Sequence, residues 1–173
     1  MSTEQPAKQN SWRNLTWFVF FVYSAVLVKI IVIKNLQFFI ESLRQTWRHR
    51  GYHSSSATQN WVAFRNIKIL LFSKNVSFAT AFLNVGGNII LFIPFGILIP
   101  VLLNGANKFL KTLFLGFFLS ACFEFFQLLT GCGEFDVDDI ILNTTGTFLG
   151  LACYSLIKVL RPTHSSASQR ITP

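Results

Sequence analysis

The chain has 173 residues, of which 51% are hydrophobic and 16% aromatic, and its mean hydropathy is +0.47. Only 13% of the residues are charged, well below the share that is typical of soluble proteins. This composition excludes a soluble globular domain and predicts an all-α integral membrane protein, a bundle of about four transmembrane helices with one interfacial segment. The net charge of +8 comes from cations scattered through connecting segments, so we expect the lipid bilayer as partner and no nucleic acid.

Four apolar segments are long enough to cross the bilayer, at Leu15–Ile33, Val85–Leu103, Phe109–Leu129 and Ile140–Leu160. No small-residue cleavage site follows the first segment, which therefore predicts a retained signal anchor. The apolar stretch Asn60–Phe72 is too short to span and predicts a segment at the membrane interface. Pro94 predicts a kink in the second helix. Residues 1–160 form one predicted membrane domain, and the polar tail 161–173 is predicted to be disordered.

Small and polar residues form a stripe on each of the last two predicted helices. With about 100° of rotation per residue, Asp139, Asn143, Gly146 and Gly150 share one face of the fourth helix, and Gly116, Ser120, Glu124 and Gln127 share one face of the third. Small and polar residues are the usual contacts between membrane helices. We therefore expect the two stripes to pack together, Gly146 and Gly150 to form a packing seam, and Asn143 to hydrogen-bond to Gln127.

The polar residues of the last three helices are predicted to converge at one end of the bundle, as candidates for ligand binding: Asn84, Asn88, Glu124, Gln127, Asp136, Asp138, Asp139 and Asn143. Asp138 or Asp139 could cap the start of the fourth helix. One cap does not account for four acids in a region with no lysine or arginine between residues 112 and 157. The acidic cluster should therefore hold a proton, bind a cation or receive a basic group, for which Arg65 and Lys68 are the nearest candidates.

Several kinds of functional site are not predicted. The three cysteines, Cys122, Cys132 and Cys153, have no metal or redox spacing, so we expect no disulfide, no zinc site and no cofactor. A calcium loop after Asp136 would need a glycine and a glutamate at fixed offsets that this sequence lacks. The histidines, His49, His53 and His164, lie in soluble segments, which makes a Ser/His/Asp triad improbable. Catalysis stays undecided, and a non-enzymatic role is favoured.

The same residues resemble the VanZ-like family of membrane proteins, which is related to a teicoplanin-resistance protein. The resemblance covers about residues 60 to 153 and consists of Asn84 and Asn88 followed by Ile89–Gly96, then Glu124 with Gln127, then Asp136 to Asp139 with Asn143, Gly146 and Gly150. Two positions depart from the family pattern. The early element Asn60–Phe64 lacks the family's proline, and Glu134 stands where relatives often have a basic or small residue.

The resemblance implies a multi-pass cell-membrane protein with both termini in the cytoplasm and the acidic loop outside. Lysine and arginine are divided equally between the two sides, so charge alone does not determine this orientation. The family's best-known member lowers sensitivity to a lipoglycopeptide, which implies a similar role here. From the convergent carboxylates and amides we expect this chain to reduce drug access at the membrane surface by binding a lipid headgroup or the drug's amines at the acidic cluster. Three alternatives stay open: an enzyme acting on a lipid-linked envelope intermediate through Glu124 and Asp139, an ion or proton pathway, and a structural membrane subunit.

Overall fold

α-Helices make up most of the computed structural model, which describes residues 12–31, 40, 44, 59–74, 76–130 and 135–160. In chain order they are α1 (Trp12–Ile31), α2 (Arg65–Phe72), α3 (Phe78–Ala81), α4 (Gly87–Leu102), α5 (Lys108–Thr130) and α6 (Val137–Leu160). A π-helical turn, Phe82–Gly86, joins α3 to α4 so that the three run as one rod. These residues contain no strand, and the predicted all-α fold is confirmed.

Among the described residues, four helical segments are long and apolar enough to cross a membrane: Trp12–Ile31, Phe78–Leu102, Lys108–Leu129 and Val137–Leu160. The predicted number of spans is therefore confirmed. The second span begins at Phe78 rather than at Val85, because α3 and the π-helical turn extend it. Helix α2 has only eight residues and buries none of its side chains. Its place at the membrane interface stays a prediction.

Helices α4 and α6 touch through their backbones. A Cβ added to Gly146 would lie 2.2 Å from the Ile89 carbonyl oxygen, and one added to Gly150 would lie 2.1 Å from the Ile93 carbonyl oxygen. Gly96 faces α6 in the same way. Such small residues allow membrane helices to approach closely enough for dispersion contacts along their whole length. The seam of Gly146 and Gly150 thus packs against α4, and not against α5 as expected from the stripes.

Helix α5 packs on a different face of α6. The Asn143 side-chain amide donates to Ser120 Oγ over 2.9 Å. One turn further along, Gly116 leaves room for Thr147, whose side chain would lie within 2.4 Å of an added Cβ. Ser120 and Thr147 are fully buried. The polar face of α5 therefore contacts α6, as predicted. Its partners on α6 are Asn143 and Thr147 rather than the two glycines.

Helix α1 lies at the side of the bundle and is the least buried of the four spans. Its buried Leu27 packs with Phe92, Phe95 and Ile99. The Tyr23 hydroxyl donates to the Leu91 carbonyl oxygen over 2.7 Å. This hydrogen bond links α1 to the second turn of α4.

Helix α4 continues through both of its prolines, Pro94 and Pro100, and the bend expected at Pro94 stays a prediction. The turn that follows contains Gly105 with a φ of 83° and Asn107 with a φ of 59°. Both are residue types that tolerate left-handed backbone. The Lys108 ammonium donates to the Pro100 carbonyl oxygen over 3.1 Å, which connects the start of α5 to the end of α4.

Some of the predictions from sequence concern residues outside the described ranges. These are the tail 161–173, the three histidines His49, His53 and His164, and the loop residues Cys132 and Glu134. Of the other cysteines, Cys122 on α5 and Cys153 on α6 are free and exposed.

The close contact of α4 with α6 predicts that Gly150→Ala destabilises the protein by about 1–3 kcal/mol, because the added methyl group meets backbone atoms that cannot move aside. Gly87→Ala is a matched control, since an added Cβ there has no atom within 4 Å. It should leave stability unchanged or raise it by about 0.5–1 kcal/mol. Unfolding of both variants in mixed micelles measures the difference. An equal response of the two variants would contradict the packing described here.

Candidate functional site

The segment before α2 pairs with the start of α6. The Asn60 amide donates to the Phe135 carbonyl oxygen over 2.8 Å, and the Val137 amide donates to the Asn60 carbonyl oxygen over 3.1 Å. These two bonds form an isolated parallel bridge between Asn60 and Asp136. The Trp61 ring stacks on Phe135 with 4.2 Å between centroids. Asn60 is 2% exposed, so this pairing positions a polar side chain inside the protein.

The carboxylate of Asp138 caps α2, although the two are far apart in the sequence. Helix α2 follows Phe64, which has a φ of 64°, and its own N-cap residue makes no side-chain hydrogen bond. The amides of Asn66 and Ile67 donate to Asp138 Oδ2 over 2.7 and 3.1 Å, and the Phe64 amide donates to Asp138 Oδ1. These amides have no partner within the helix and lie at the positive end of its dipole. Asp138, at 1% exposure, therefore has neutral donors on both oxygens.

The cap of α6 itself is Asp136. Its Oδ1 accepts from the backbone amide of Asp138 over 2.8 Å. Asp138 is the second residue of α6 and so cannot cap that helix, which corrects the expected cap by Asp138 or Asp139. The other expected partners, Arg65 and Lys68, have exposed side chains. The start of α2 supplies backbone amides to Asp138 in place of a basic side chain.

Asp136 also connects four parts of the chain. Its Oδ1 accepts from the Asn60 side-chain amide over 2.7 Å, and its Oδ2 accepts from the Asn66 side-chain amide over 2.8 Å. Its backbone amide donates to Glu124 Oε2 over 2.9 Å. Glu124 lies on α5 and is 3% exposed. The segment before α2, α2 itself, α5 and α6 are thus joined at one residue.

Two asparagines of the second span lie beside this cluster. The Asn88 side-chain amide donates to Asp139 Oδ1, so that Asp139 faces α4. Asn84 lies in the π-helical turn and donates to the Thr80 carbonyl oxygen over 2.8 Å. Turns of this kind occur often at functional sites, because they interrupt the regular spacing of side chains along a helix.

A cavity of about 450 Å³ lies among these helices. All eight polar residues singled out from the sequence line it: Asn84, Asn88, Glu124, Gln127, Asp136, Asp138, Asp139 and Asn143. The rest of its wall is mainly apolar and includes Ile30, Leu91, Phe92 and Phe123. The volume is within the usual range for small-molecule sites. The cavity therefore offers a mixed polar and apolar surface to a ligand.

The side-chain amide of Asn143 is hydrogen-bonded through its nitrogen but not through its oxygen. Its Nδ2 donates to Ser120, which differs from the expected bond to Gln127. Its Oδ1 is buried and has no hydrogen-bond partner in the described part of the chain. The residue is 6% exposed and lines the cavity. An unpaired buried acceptor is costly, and this oxygen has almost no surface accessible from the cavity.

Three residues of the site were missed from the sequence: Asn60, Asn66 and Thr147. Asn60 and Asn66 have side-chain amides within the largely apolar segment Asn60–Phe72. A side-chain amide in such a segment needs a hydrogen-bond partner when it is buried, and this requirement could have identified both residues. Thr147 lies one residue after Gly146, so it falls on the face of α6 that meets α5 when Gly146 meets α4. The spacing of residues along α6 does not show which of its two faces meets α4 and which meets α5.

The fold and the site together define a multi-pass membrane protein with a cavity lined by carboxylates and side-chain amides. The sequence profile of the VanZ/LLP1 family matches residues 20–158, and the chain belongs to that family. It is similar to Protein VanZ of Enterococcus faecium, with 42% identity over 69 residues. That match covers 40% of this chain and 42% of the relative, so less than half of each protein is compared. No solved structure matches the chain.

The cap of α2 predicts that Asp138→Ala speeds hydrogen exchange at the Asn66 and Ile67 amides by about ten- to a hundredfold, since each loses a charged acceptor. Ser77→Ala is the control, because Ser77 Oγ caps α3 by accepting from the Thr80 amide over 3.1 Å. It should affect only Thr80 and leave Asn66 and Ile67 protected. Mass spectrometry or NMR of the protein in nanodiscs measures the exchange. Unchanged protection of Asn66 and Ile67 in Asp138→Ala would contradict the cap.

Proposed function

We propose that this chain is a cell-membrane protein that lowers sensitivity to lipoglycopeptide antibiotics of the teicoplanin type, and that it does so through the cavity. Family membership and the partial match to Protein VanZ support the first half of the proposal. The geometry of the cavity supports the second half. The ligand is a lipid headgroup or an amine of the drug, bound near the membrane surface so that less drug reaches its place of action.

The observation that carries the proposal is the convergence of eight polar residues on one cavity of about 450 Å³. Polar groups within a membrane are expensive, and a bundle that needed them only for packing would leave no space between them. Here Asn88 and Asp139 join α4 to α6, and Asn143 and Ser120 join α5 to α6, while the space among them stays open. A binding role accounts for both the polar wall and the space.

The proposed orientation has the acidic side of the bundle outside and both termini in the cytoplasm. The described part of the chain holds four spans, an even number, which agrees with termini on one side. A cavity that influences a drug arriving from outside needs its polar end on that side. The family resemblance supports the same arrangement.

A second function fits the same cavity. Glu124 on α5 and Asp139 on α6 both line it, and two carboxylates on neighbouring helices can supply a general base or ligands for a metal ion. The protein would then be an enzyme acting on a lipid-linked envelope intermediate. Turnover of such a lipid by purified protein, lost in Glu124→Gln, would favour this function over simple binding.

Expression in a teicoplanin-sensitive host tests the leading proposal. The wild type should raise the inhibitory concentration of teicoplanin but not that of vancomycin, and Asp139→Asn and Glu124→Gln should return it to the level of the empty vector. Each change removes a charged acceptor from the cavity wall. Thr145→Ala is the control, because Thr145 lies on α6 with an exposed side chain that bonds only within its own helix.

The same cells test the orientation. A membrane-impermeant maleimide should label Cys132, which lies in the sequence between α5 and α6, and Cys132→Ser should abolish that labelling. An inserted wild type that leaves teicoplanin sensitivity unchanged would overturn the proposed function. A Cys132 that reacts only after the membrane is permeabilised would overturn the orientation.

A further inference from the structure

Helix α2 contacts the cavity with one face and presents the other to its surroundings. Its inner face consists of three residues that line the cavity: Asn66, Ile67 and Leu70. With about 100° of rotation per residue, the opposite side of the helix is its outer face and consists of four exposed residues: Arg65, Lys68, Leu71 and Phe72. The Phe72 side chain is 80% exposed. The outer face of α2 therefore combines two cations with two large apolar side chains.

The two cations of the outer face have no partner within the part of the chain that the structure describes. Neither the Arg65 guanidinium nor the Lys68 ammonium makes a hydrogen bond or an ion pair there. The carboxylates of Asp136 and Asp138 accept from neutral amides. Side chains three residues apart are neighbours on a helix surface, so the two cations can attract the same anion. An anion outside the protein is complementary to this face.

Both ends of α2 lie where spans of the bundle begin. Its first amides donate to Asp138, which is the second residue of the last span. Its last residue, Phe72, is joined by residues 73–77 to Phe78, where the second span begins. The ends of spans lie at the membrane surface. We therefore expect α2, which is about 12 Å long, to lie along that surface with its outer face toward the lipid.

Beyond its first turn, α2 has little support from the protein. None of its side chains is buried, and eight residues are too few for a stable helix in water. Asp138 holds only the amides at the start of the helix. The last turn is closed by bonds within the backbone, such as the Ser73 amide to the Ile69 carbonyl oxygen over 3.0 Å. Its outer face therefore needs a surface to pack against.

We propose that the outer face of α2 binds anionic phospholipids in the leaflet at the acidic end of the bundle, and that this binding holds the inner face of α2 in the cavity wall. Arg65 and Lys68 contact the lipid phosphates, and Leu71 and Phe72 lie among the adjoining acyl chains. The partner is a lipid of the bilayer, because a soluble phosphate would leave both apolar side chains in water. This inference goes beyond the proposed function, since it concerns a different surface and holds whichever ligand the cavity takes.

Hydrogen exchange of the full-length protein in two kinds of nanodisc tests the proposal. One kind contains phosphatidylcholine only, and the other contains equal amounts of phosphatidylcholine and phosphatidylglycerol. The amides from Lys68 to Phe72 should exchange about ten- to thirtyfold more slowly in the anionic nanodiscs, as expected for two cations near a charged surface. High salt should reduce this difference, because it screens exposed charges. Equal exchange in the two nanodiscs at low salt would overturn the proposal.

Glycerol phosphate distinguishes a lipid from a soluble phosphate. Added to the phosphatidylcholine nanodiscs, it presents the same phosphate chemistry without acyl chains, and it should leave the exchange of α2 unchanged. If it slows exchange as much as phosphatidylglycerol does, the partner is a soluble phosphate and the proposed lipid surface is wrong.

Phe72→Ala tests the apolar contact separately from the charges. It should speed exchange in the last turn of α2 by about five- to tenfold in both nanodiscs, because burial of the ring among acyl chains does not depend on headgroup charge. Alanine favours helix more than phenylalanine does, so a loss of protection must come from the lost contact. Exchange that is unchanged by Phe72→Ala would contradict the insertion of the outer face.

Arg65→Gln combined with Lys68→Gln removes both cations and should abolish the difference between the two nanodiscs. Lys111→Gln is the matched control, because Lys111 is an exposed cation near the start of α5, at the opposite end of the bundle. It should keep the full difference. A difference that survives the double substitution would show that Arg65 and Lys68 do not read the lipid. If the double variant does not insert, the wild type in the two nanodiscs still decides the proposal.

The outcomes separate this inference from the proposed function. A chain that leaves teicoplanin sensitivity unchanged overturns the proposed function and not the lipid surface. Equal exchange in the two nanodiscs overturns the lipid surface and not the proposed function.

Discussion

The arrangement of the site depends on one buried carboxylate, that of Asp138. Removing an ionised carboxylate from water costs several kcal/mol unless donors surround it. The required donors are the free amides at the start of α2, together with Asn60. Helix α2 depends on Asp138 in turn, because eight residues with no cap of their own and no buried side chain do not form a stable helix in isolation. The two elements hold each other in place, and the cavity lies beside them.

The other constraint is the division of α6 into two faces. The face with Gly146 and Gly150 contacts the backbone of α4, where each glycine lies against a carbonyl group. The face with Asn143 and Thr147 contacts Ser120 and Gly116 of α5. Apolar burial contributes little to the association of membrane helices, so close packing and hydrogen bonds must stabilise it. Helix α6 uses close backbone packing on one face and polar contacts on the other. The cavity lies at the acidic end of these three helices, where residues of α1 and α2 also line it.

The sequence predicted the helices and the residues around the cavity better than it predicted their partners. Helical spacing and the order of the spans are enough to place Glu124, Asp139 and Asn88 at one end of the bundle. They do not determine which neighbouring helix each face of α6 contacts. Gly146 and Gly150 were therefore expected to contact α5, whereas they contact α4. The cap of α2 was missed because Phe64 and Asp138 are 74 residues apart, and the donors are backbone amides that no side-chain pattern records.

The central claim is that the Asp138 carboxylate binds the start of α2, and a distance measured in a bilayer tests it most directly. Solid-state NMR on protein labelled at the Asp138 carboxyl carbon and the Asn66 amide nitrogen gives this distance. With 2.7 Å between the amide nitrogen and the carboxylate oxygen, the carbon and nitrogen should be about 3.5 Å apart. A separation above about 5 Å excludes a hydrogen bond and would contradict the account.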